Sequence, residues 1–297
     1  MMLTSHLPVT HDLTLAYVLS LAVALLMTIA SLAGLSCPAC LYPTEELQQS
    51  FVATDVVNLL IGLPVLLGSM WLARRGRLLG LLFWPGALFY VLYHAIVYSF
   101  ALPLNLGFLF SIALLVLSAY AGDTTIGLVA SIDSEAVQRR LSGAVPERVA
   151  GGALVGSGIL FSLLAVGTIV NGLVNRVPMA DGDCSEGPPS IPPASRGEAE
   201  RFLCSESELA LQVSDFLITP AWIIGGMLLW RRKPLGYVTA TGLLFQASML
   251  FIGLIVFLLL RPLLTAASFV PGEVVVTFIL GLICFIPFAL FLRGFRS

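Results

Sequence analysis

Long apolar runs recur along almost the whole chain, separated by short stretches that carry charged residues, proline or glycine. Each run is long enough for the roughly 20-residue helix that crosses a bilayer. We place them at 13–35, 55–74, 78–100, 104–121, 149–174, 209–230, 235–260 and 274–292. Because lipid offers backbone groups no hydrogen-bond partner, such runs must form helices. The pattern therefore predicts an all-α integral membrane protein with eight transmembrane helices.

The composition excludes a soluble globular protein. Of the 297 residues, 58% are hydrophobic and 11% are charged, whereas about 25% of the residues in a soluble domain are charged. The net charge of −2 supplies no basic surface for nucleic acid. The expected partners are the lipid bilayer and a membrane or extracytoplasmic protein, and nucleic acid is excluded.

The basic residues predict the orientation of the chain. Eleven of the fifteen lie on one side of an eight-span arrangement, and four lie on the other side, namely Arg176, Arg196, Arg201 and Arg261. Cytoplasmic loops carry the excess of lysine and arginine in membrane proteins. We therefore expect a bacterial plasma (inner) membrane protein with both termini in the cytoplasm. The loops after spans one and five then face outward.

Two segments of the chain repeat each other. Residues 79–89 and 235–245 each begin with Leu-Gly, continue with glycine six residues after that first glycine, and end with Leu-Phe. Each segment follows a basic turn, and Asp55 and Asp215 open the preceding predicted span in each half. An even number of spans separates the copies, which favours two parallel repeats. The predicted organisation is a four-helix repeat at 1–121, a cytoplasmic connector with a short interfacial helix at 122–148, and a second four-helix repeat at 149–297 whose long outward loop covers 175–214.

Four of the five cysteines lie in the outward loops. Cys37 and Cys40 follow span one, whereas Cys184 and Cys204 lie in the loop after span five. An oxidising compartment favours two disulfides, Cys37–Cys40 and Cys184–Cys204. They can be structural crosslinks, or the closely spaced pair can be an exchangeable redox disulfide. Cys284, in the last span, is expected to be a small buried core residue.

The segment Cys37-Pro-Ala-Cys40-Leu41-Tyr42 resembles the quinone-linked disulfide oxidoreductase family DsbB, in which a C-x-x-C followed by an aliphatic residue and tyrosine comes just after the first span. The resemblance implies a quinone cofactor beside the first cysteine pair. It also implies catalytic roles for all four outward cysteines, with electrons passing from Cys184 and Cys204 to Cys37 and Cys40 and then to quinone.

A second group of candidate residues is polar and intramembrane. Tyr90, His94 and Tyr98 recur every four residues along one face of span three. Asp55 and Asp215 lie near the predicted outer boundary of the membrane. Ionisable residues inside spans are rare and mark functional sites. The predicted ligand-binding residues are Asp55, Asn58, Tyr90, His94, Asp215 and Gln246. We expect them to line an outward-facing cleft between the two repeats, and we predict no metal site.

These polar residues also have a purely structural interpretation. Tyrosines near the end of a span are typical of an interfacial aromatic belt, in which a histidine bonds to a neighbouring helix. Asp55 and Asp215 can each stabilise a helix start, with Asn58 as a partner of the first.

The overall layout is similar to a group of bacterial eight-helix membrane proteins with no assigned activity. The likeness rests on Asp55 near the start of span two, Arg74-Arg75 before span three, and residues 230–237 between spans six and seven. The leading hypothesis is a multi-pass membrane protein that binds a small or lipid-like ligand, or a partner protein, at the outward cleft. The alternatives are a quinone-coupled thiol–disulfide oxidoreductase, a transporter, and a structural subunit of a membrane complex.

Overall fold

The computed structural model describes residues 14–130, 134–143, 145–175 and 193–294, with the side chains of 128–130, 140, 171–175 and 193–209 left out of the description. The helices of this part of the chain are α1 (Thr14–Ser36), α2 (Pro38–Leu41), α3 (Glu45–Val57), α4 (Leu63–Arg74), α5 (Leu78–Ala101), α6 (Leu106–Ala130), α7 (Ser134–Leu141), α8 (Glu147–Asn175), α9 (Pro193–Trp230), α10 (Pro234–Leu264) and α11 (Pro271–Gly294). A π-helical segment, Asn58–Gly62, joins α3 to α4.

Eight helices in the described ranges are long and apolar enough to cross a membrane, which confirms the predicted number. The described part of the chain is therefore all-helical, with the helices of a multi-pass membrane protein. The second spanning helix differs from the prediction because it begins at Glu45 rather than at residue 55. The Thr44 hydroxyl accepts a hydrogen bond from the Leu47 N–H at 3.3 Å, and acidic residues in the first turn favour the helix start.

Neither aspartate lies at a helix start. Asp55 lies well inside α3, and Asp215 lies well inside α9. The prediction that each residue opens a helix is therefore wrong. Neither carboxylate stabilises a helix N-terminus, since that interaction falls off within the first turn.

The membrane helices form two rings of four. In the first ring, α1 contacts α6 and the α3–α4 helix, and α5 contacts α4 and α6. In the second, α8 contacts α9 and α11, and α10 contacts the same two helices. Helices α5 and α10 cross between the rings, where a Cβ added to Gly86 would overlap the Gly242 carbonyl oxygen. The Phe83 and Phe245 rings stack beside this crossing, with centroids 4.3 Å apart.

The two basic turns have the same backbone hydrogen bonds. The Arg77 N–H donates to the Leu72 carbonyl at 3.1 Å, and the Lys233 N–H donates to the Leu228 carbonyl at 2.9 Å. The residue before each donor has a positive φ: Gly76 at 70° and Arg232 at 53°. The basic turns that precede the two repeated segments therefore have the same local backbone geometry.

The connector packs on the second ring through α7. Val137 and Leu141, one turn apart, are both buried, and Gln138 donates to the Arg232 carbonyl at 2.7 Å. The Glu147 carboxylate accepts hydrogen bonds from the Tyr237 hydroxyl at 3.0 Å and from the Gly143 N–H at 3.2 Å. These contacts fix the short helix against the start of α10.

Candidate functional site

Asp55 is a buried carboxylate held by two phenols. Its side chain is 1% exposed. One oxygen accepts a hydrogen bond from the Tyr42 hydroxyl at 2.6 Å, and the other accepts one from the Tyr98 hydroxyl at 2.9 Å. No described lysine, arginine or histidine forms an ion pair with this carboxylate. Its negative charge, when present, has hydrogen-bond donors around it but no cationic side chain.

Gly34 on α1 makes room for this arrangement. A Cβ added at this position would overlap the Asp55 carboxylate and lie 2.6 Å from the Tyr42 hydroxyl oxygen. The backbone of α1 therefore packs directly against the Asp55–Tyr42 hydrogen bond, which only glycine allows at this distance.

The segment that carries Tyr42 accepts hydrogen bonds from a side chain of α3 and from one in the turn before α6. Asn105 donates to the Leu41 carbonyl at 2.9 Å, and Gln48 donates to the Tyr42 carbonyl at 2.9 Å. The Tyr42 side chain is fully buried. Burial, followed by the neighbouring Asp55 carboxyl, raises the pKa of the Tyr42 phenol well above its ordinary value. The phenol therefore stays protonated and remains a donor to Asp55 throughout the physiological pH range.

A small cavity lies beside Asp55, inside the first ring. Its volume is about 30 Å³. Its polar lining residues are Ser31, Tyr42, Asp55, Asn58, His94, Tyr98 and Ser111. A site needs roughly 10–15 Å³ of such volume to hold one water molecule. The cavity therefore has room for about two or three water molecules or a small ion.

The wall of the cavity is mostly apolar, and Asn58 and His94 add hydrogen-bond acceptors to it beside Asp55. Asn58 is 4% exposed, and its side-chain carbonyl oxygen has no hydrogen-bond partner. The His94 Nδ1 lies 3.0 Å from the Tyr90 carbonyl oxygen. Because a carbonyl only accepts, Nδ1 carries the hydrogen, and Nε2 of a neutral ring is an acceptor. Asn58 also begins the π-helical segment, a feature that is frequent at functional sites.

The structure brings together only some of the predicted ligand-binding residues. Asp55, Asn58 and His94 line the cavity, whereas Tyr90, Asp215 and Gln246 do not. The described cavity thus lies within the first ring, whereas the sequence predicted a cleft between the repeats.

The other three residues have separate environments. Asp215 is half-buried and accepts a hydrogen bond from the Tyr93 hydroxyl at 3.0 Å. Gln246 is buried, and its side-chain oxygen accepts a hydrogen bond from the Trp222 indole at 2.9 Å. The buried Tyr90 hydroxyl has no hydrogen-bond partner and faces Gly253, where an added Cβ would lie 3.0 Å away.

Three residues beside Asp55 were not predicted to lie there. Tyr42 was considered only within the cysteine motif, Tyr98 only on the face of span three that carries Tyr90 and His94, and Gly34 was not a candidate. A signal was nevertheless present, because a carboxylate inside a span needs donors, and tyrosines occur at the same end of the neighbouring spans. Nothing in the local sequence around Gly34 indicates its role, which depends on a contact between α1 and α3.

The first cysteine pair forms the predicted disulfide. Cys37 and Cys40 are bonded, with their Cα atoms 5.3 Å apart. Cys37 is half-buried and Cys40 is exposed. Cys284 is a buried free cysteine, as predicted. The predicted Cys184–Cys204 bond lies outside the described residues.

Within the described ranges, no three His, Cys, Asp or Glu side chains are grouped as metal ligands. Comparisons with protein-family models, curated proteins and solved structures found no match to the chain. The features of the described residues that bear on function are the geometry around Asp55 and the disulfide next to it.

Proposed function

We propose that this membrane protein binds a small monovalent cation in the cavity beside Asp55. The observation that carries the proposal is a fully buried carboxylate that pairs with no cationic side chain of the described residues and adjoins a cavity of ionic size. A buried charge is costly unless it is compensated. One carboxylate is neutralised by one positive charge, so a monovalent cation matches the charge of the site.

The donor set favours a hard cation. Asp55 accepts side-chain hydrogen bonds from Tyr42, Tyr98 and Ser31. A carboxylate has about four acceptor sites, so it can still bind one further ligand. Among the described residues, the Asn58 carbonyl oxygen has no hydrogen-bond partner. Carboxylate, carbonyl and hydroxyl oxygens are the ligands that alkali and alkaline-earth ions prefer. Sodium is therefore the first ion to test. A proton would satisfy the same charge requirement at Asp55, and the experiment below separates the two.

The position of the cavity indicates its route of access. Leu41, Leu102 and Gly107 are among the lining residues, and they lie at the connections between spans one and two and between spans three and four. The basic residues predict that these connections face outward. In the proposed orientation, both termini are in the cytoplasm of a bacterial inner membrane, and the ion enters from the outside.

We also infer that the two rings are parallel repeats. Both have the same order of helix contacts, both contain the same basic-turn geometry, and the matched glycines Gly86 and Gly242 meet at the crossing of α5 and α10. The site itself is not duplicated, because Asp215 is half-buried and accepts its hydrogen bond from Tyr93 of the other ring.

The substitution Asp55→Asn tests the proposal, with Asp215→Asn as a matched control. In lipid nanodiscs, isothermal titration with Na⁺ and then K⁺ is expected to show saturable binding by the wild type and by Asp215→Asn. Asp55→Asn should show at least a tenfold loss of affinity, because among the described residues it removes the only carboxylate that lines the cavity.

Two other outcomes distinguish the ligands. If neither ion binds, but the wild type exchanges one more proton than Asp55→Asn in a potentiometric titration, the site is a proton site. If the wild type and Asp55→Asn behave alike in both experiments, the carboxylate has only a packing role and the proposal is wrong.

A second candidate function is a quinone-coupled thiol–disulfide oxidoreductase. The disulfide between Cys37 and Cys40 favours it, because the exposed Cys40 is open to attack by a thiolate. The activity requires that reduced protein, freed of reductant, converts a short-chain quinone to quinol without oxygen while the two thiols are lost. The absorbance of the quinone reports the reaction, and Cys37→Ser is the control. Persistence of both thiols beside unchanged quinone would exclude this activity.

A further inference from the structure

The Cys37–Cys40 disulfide is directly connected to the wall of the cavity. Leu41 follows Cys40 in the chain, and both Leu41 and Tyr42 line the cavity. The hydroxyl of Tyr42 donates to Asp55 at 2.6 Å. The exposed disulfide is therefore separated from the buried carboxylate by only two residues of chain and one hydrogen bond.

The disulfide fixes this wall to the end of α1. The Cys37 N–H donates to the Ala33 carbonyl at 3.0 Å, so the backbone of Cys37 continues the hydrogen bonding of α1. The S–S bond attaches Cys40 to this position, and the Tyr42 N–H donates to the Pro38 carbonyl at 2.7 Å across the same turn. Gly34, one turn before Cys37, packs against Asp55 and Tyr42. The crosslink therefore holds the Leu41–Tyr42 segment against the end of α1, where Gly34 closes the site.

We propose that the Cys37–Cys40 disulfide is a redox control on the Asp55 cavity, with the oxidised form holding Tyr42 on the carboxylate and the reduced form releasing the Leu41–Tyr42 wall. This inference rests on the proposed cation site. If reduction weakens cation binding by a given factor, the bound cation disfavours reduction of the disulfide by the same factor, because linkage between two equilibria is reciprocal.

The reductant is a dithiol on the outer side of the membrane. Its thiolate attacks the exposed Cys40 sulfur, forms a mixed disulfide and releases the Cys37 thiolate, which takes up a proton. The second thiol of the reductant then attacks the mixed disulfide, becomes oxidised together with the first, and leaves Cys40 as a thiol. Two electrons pass to the protein, and the dithiol becomes a disulfide. The reverse exchange with an oxidised dithiol restores the crosslink.

The test compares Na⁺ affinity in oxidised protein and in protein reduced with dithiothreitol, using the full chain in nanodiscs. Reduction is expected to weaken Na⁺ binding by about fivefold or more, the lower end of typical allosteric coupling. The variant Cys37→Ser/Cys40→Ser should have the weaker affinity under both conditions. The variant Cys184→Ser/Cys204→Ser should keep the response, which separates the two cysteine pairs. Hydrogen exchange at residues 40–44 and 55–58 supplies a readout that needs no ligand.

The outcomes separate this inference from the proposed function. Equal Na⁺ affinity in both redox states overturns the redox control and leaves the cation site intact. If Na⁺ binds in neither state, the proposed sodium site is wrong. Hydrogen exchange then tests whether the disulfide still controls the wall of the cavity. Faster exchange at both segments after reduction then supports control of the cavity wall, whereas unchanged exchange at residues 55–58 overturns it.

Discussion

Replacing Gly34 with alanine is expected to abolish Na⁺ binding at the Asp55 cavity and to destabilise the protein. The added methyl group would overlap the Asp55 carboxylate and crowd the Tyr42 hydroxyl. Both groups are buried among helices and cannot move into solvent. Overpacking of this kind costs about 1–3 kcal/mol, and separating Tyr42 from Asp55 costs about 1.5–3 kcal/mol more for a hydrogen bond to a charged group. The substitution should therefore lower the free energy of unfolding by about 3 kcal/mol.

The matched control is Gly68→Ala in α4, where an added Cβ meets no atom within 4 Å. Alanine favours a helix over glycine by about 1 kcal/mol, so this variant should be at least as stable as the wild type and bind Na⁺ normally. Unfolding by sodium dodecyl sulfate, followed by tryptophan fluorescence, measures stability, and calorimetry measures binding. If Gly34→Ala matches the wild type in both stability and Na⁺ affinity, the close contact between α1 and Asp55 is not required for the site.

The eight spans could be predicted because the bilayer requires long apolar helices, and their number is read from hydropathy alone. The start of the second spanning helix could not be predicted in the same way. Residues 45–50 contain glutamate, glutamine and serine, so hydropathy places them in a loop. Only the cap at Thr44 and the acidic first turn indicated a helix there. Because residues 45–50 were left out of the predicted helix, Asp55 was placed at its start.

The site was predictable where it depends on helical spacing. Asp55 and Asn58 are three residues apart on one helical face, and both line the cavity. The contribution of Tyr42 depends on the α2 turn and on Gly34, and therefore on how successive elements pack together rather than on spacing within one helix. The location of the cavity was missed for a related reason. The motif repeat treats Asp55 and Asp215 as equivalent, whereas their burial and their donors differ.

Replacing Gly86 with leucine is expected to produce the largest loss of stability. Gly86 lies where α5 crosses α10, and any side chain there would run into the Gly242 carbonyl oxygen. Gly242 faces the backbone of α5 equally closely, since a Cβ on it would lie 2.9 Å from the Leu82 carbonyl oxygen. Small residues let membrane helices approach at such crossings. Leucine would force the two rings apart and is expected to cost about 3 kcal/mol or more.

The control is Gly156→Leu in α8, an exposed position where an added Cβ meets nothing within 4 Å. This leucine would extend into lipid, so the detergent-unfolding midpoint should stay close to that of the wild type. Gly86→Leu should unfold at a clearly lower detergent concentration or fail to accumulate. Because the Asp55 cavity lies within the first ring, Na⁺ binding by any folded Gly86→Leu protein should survive in part. Equal midpoints for the two leucine variants would mean that the close crossing of α5 and α10 does not hold the rings together, and the parallel-repeat arrangement would lose its main packing contact.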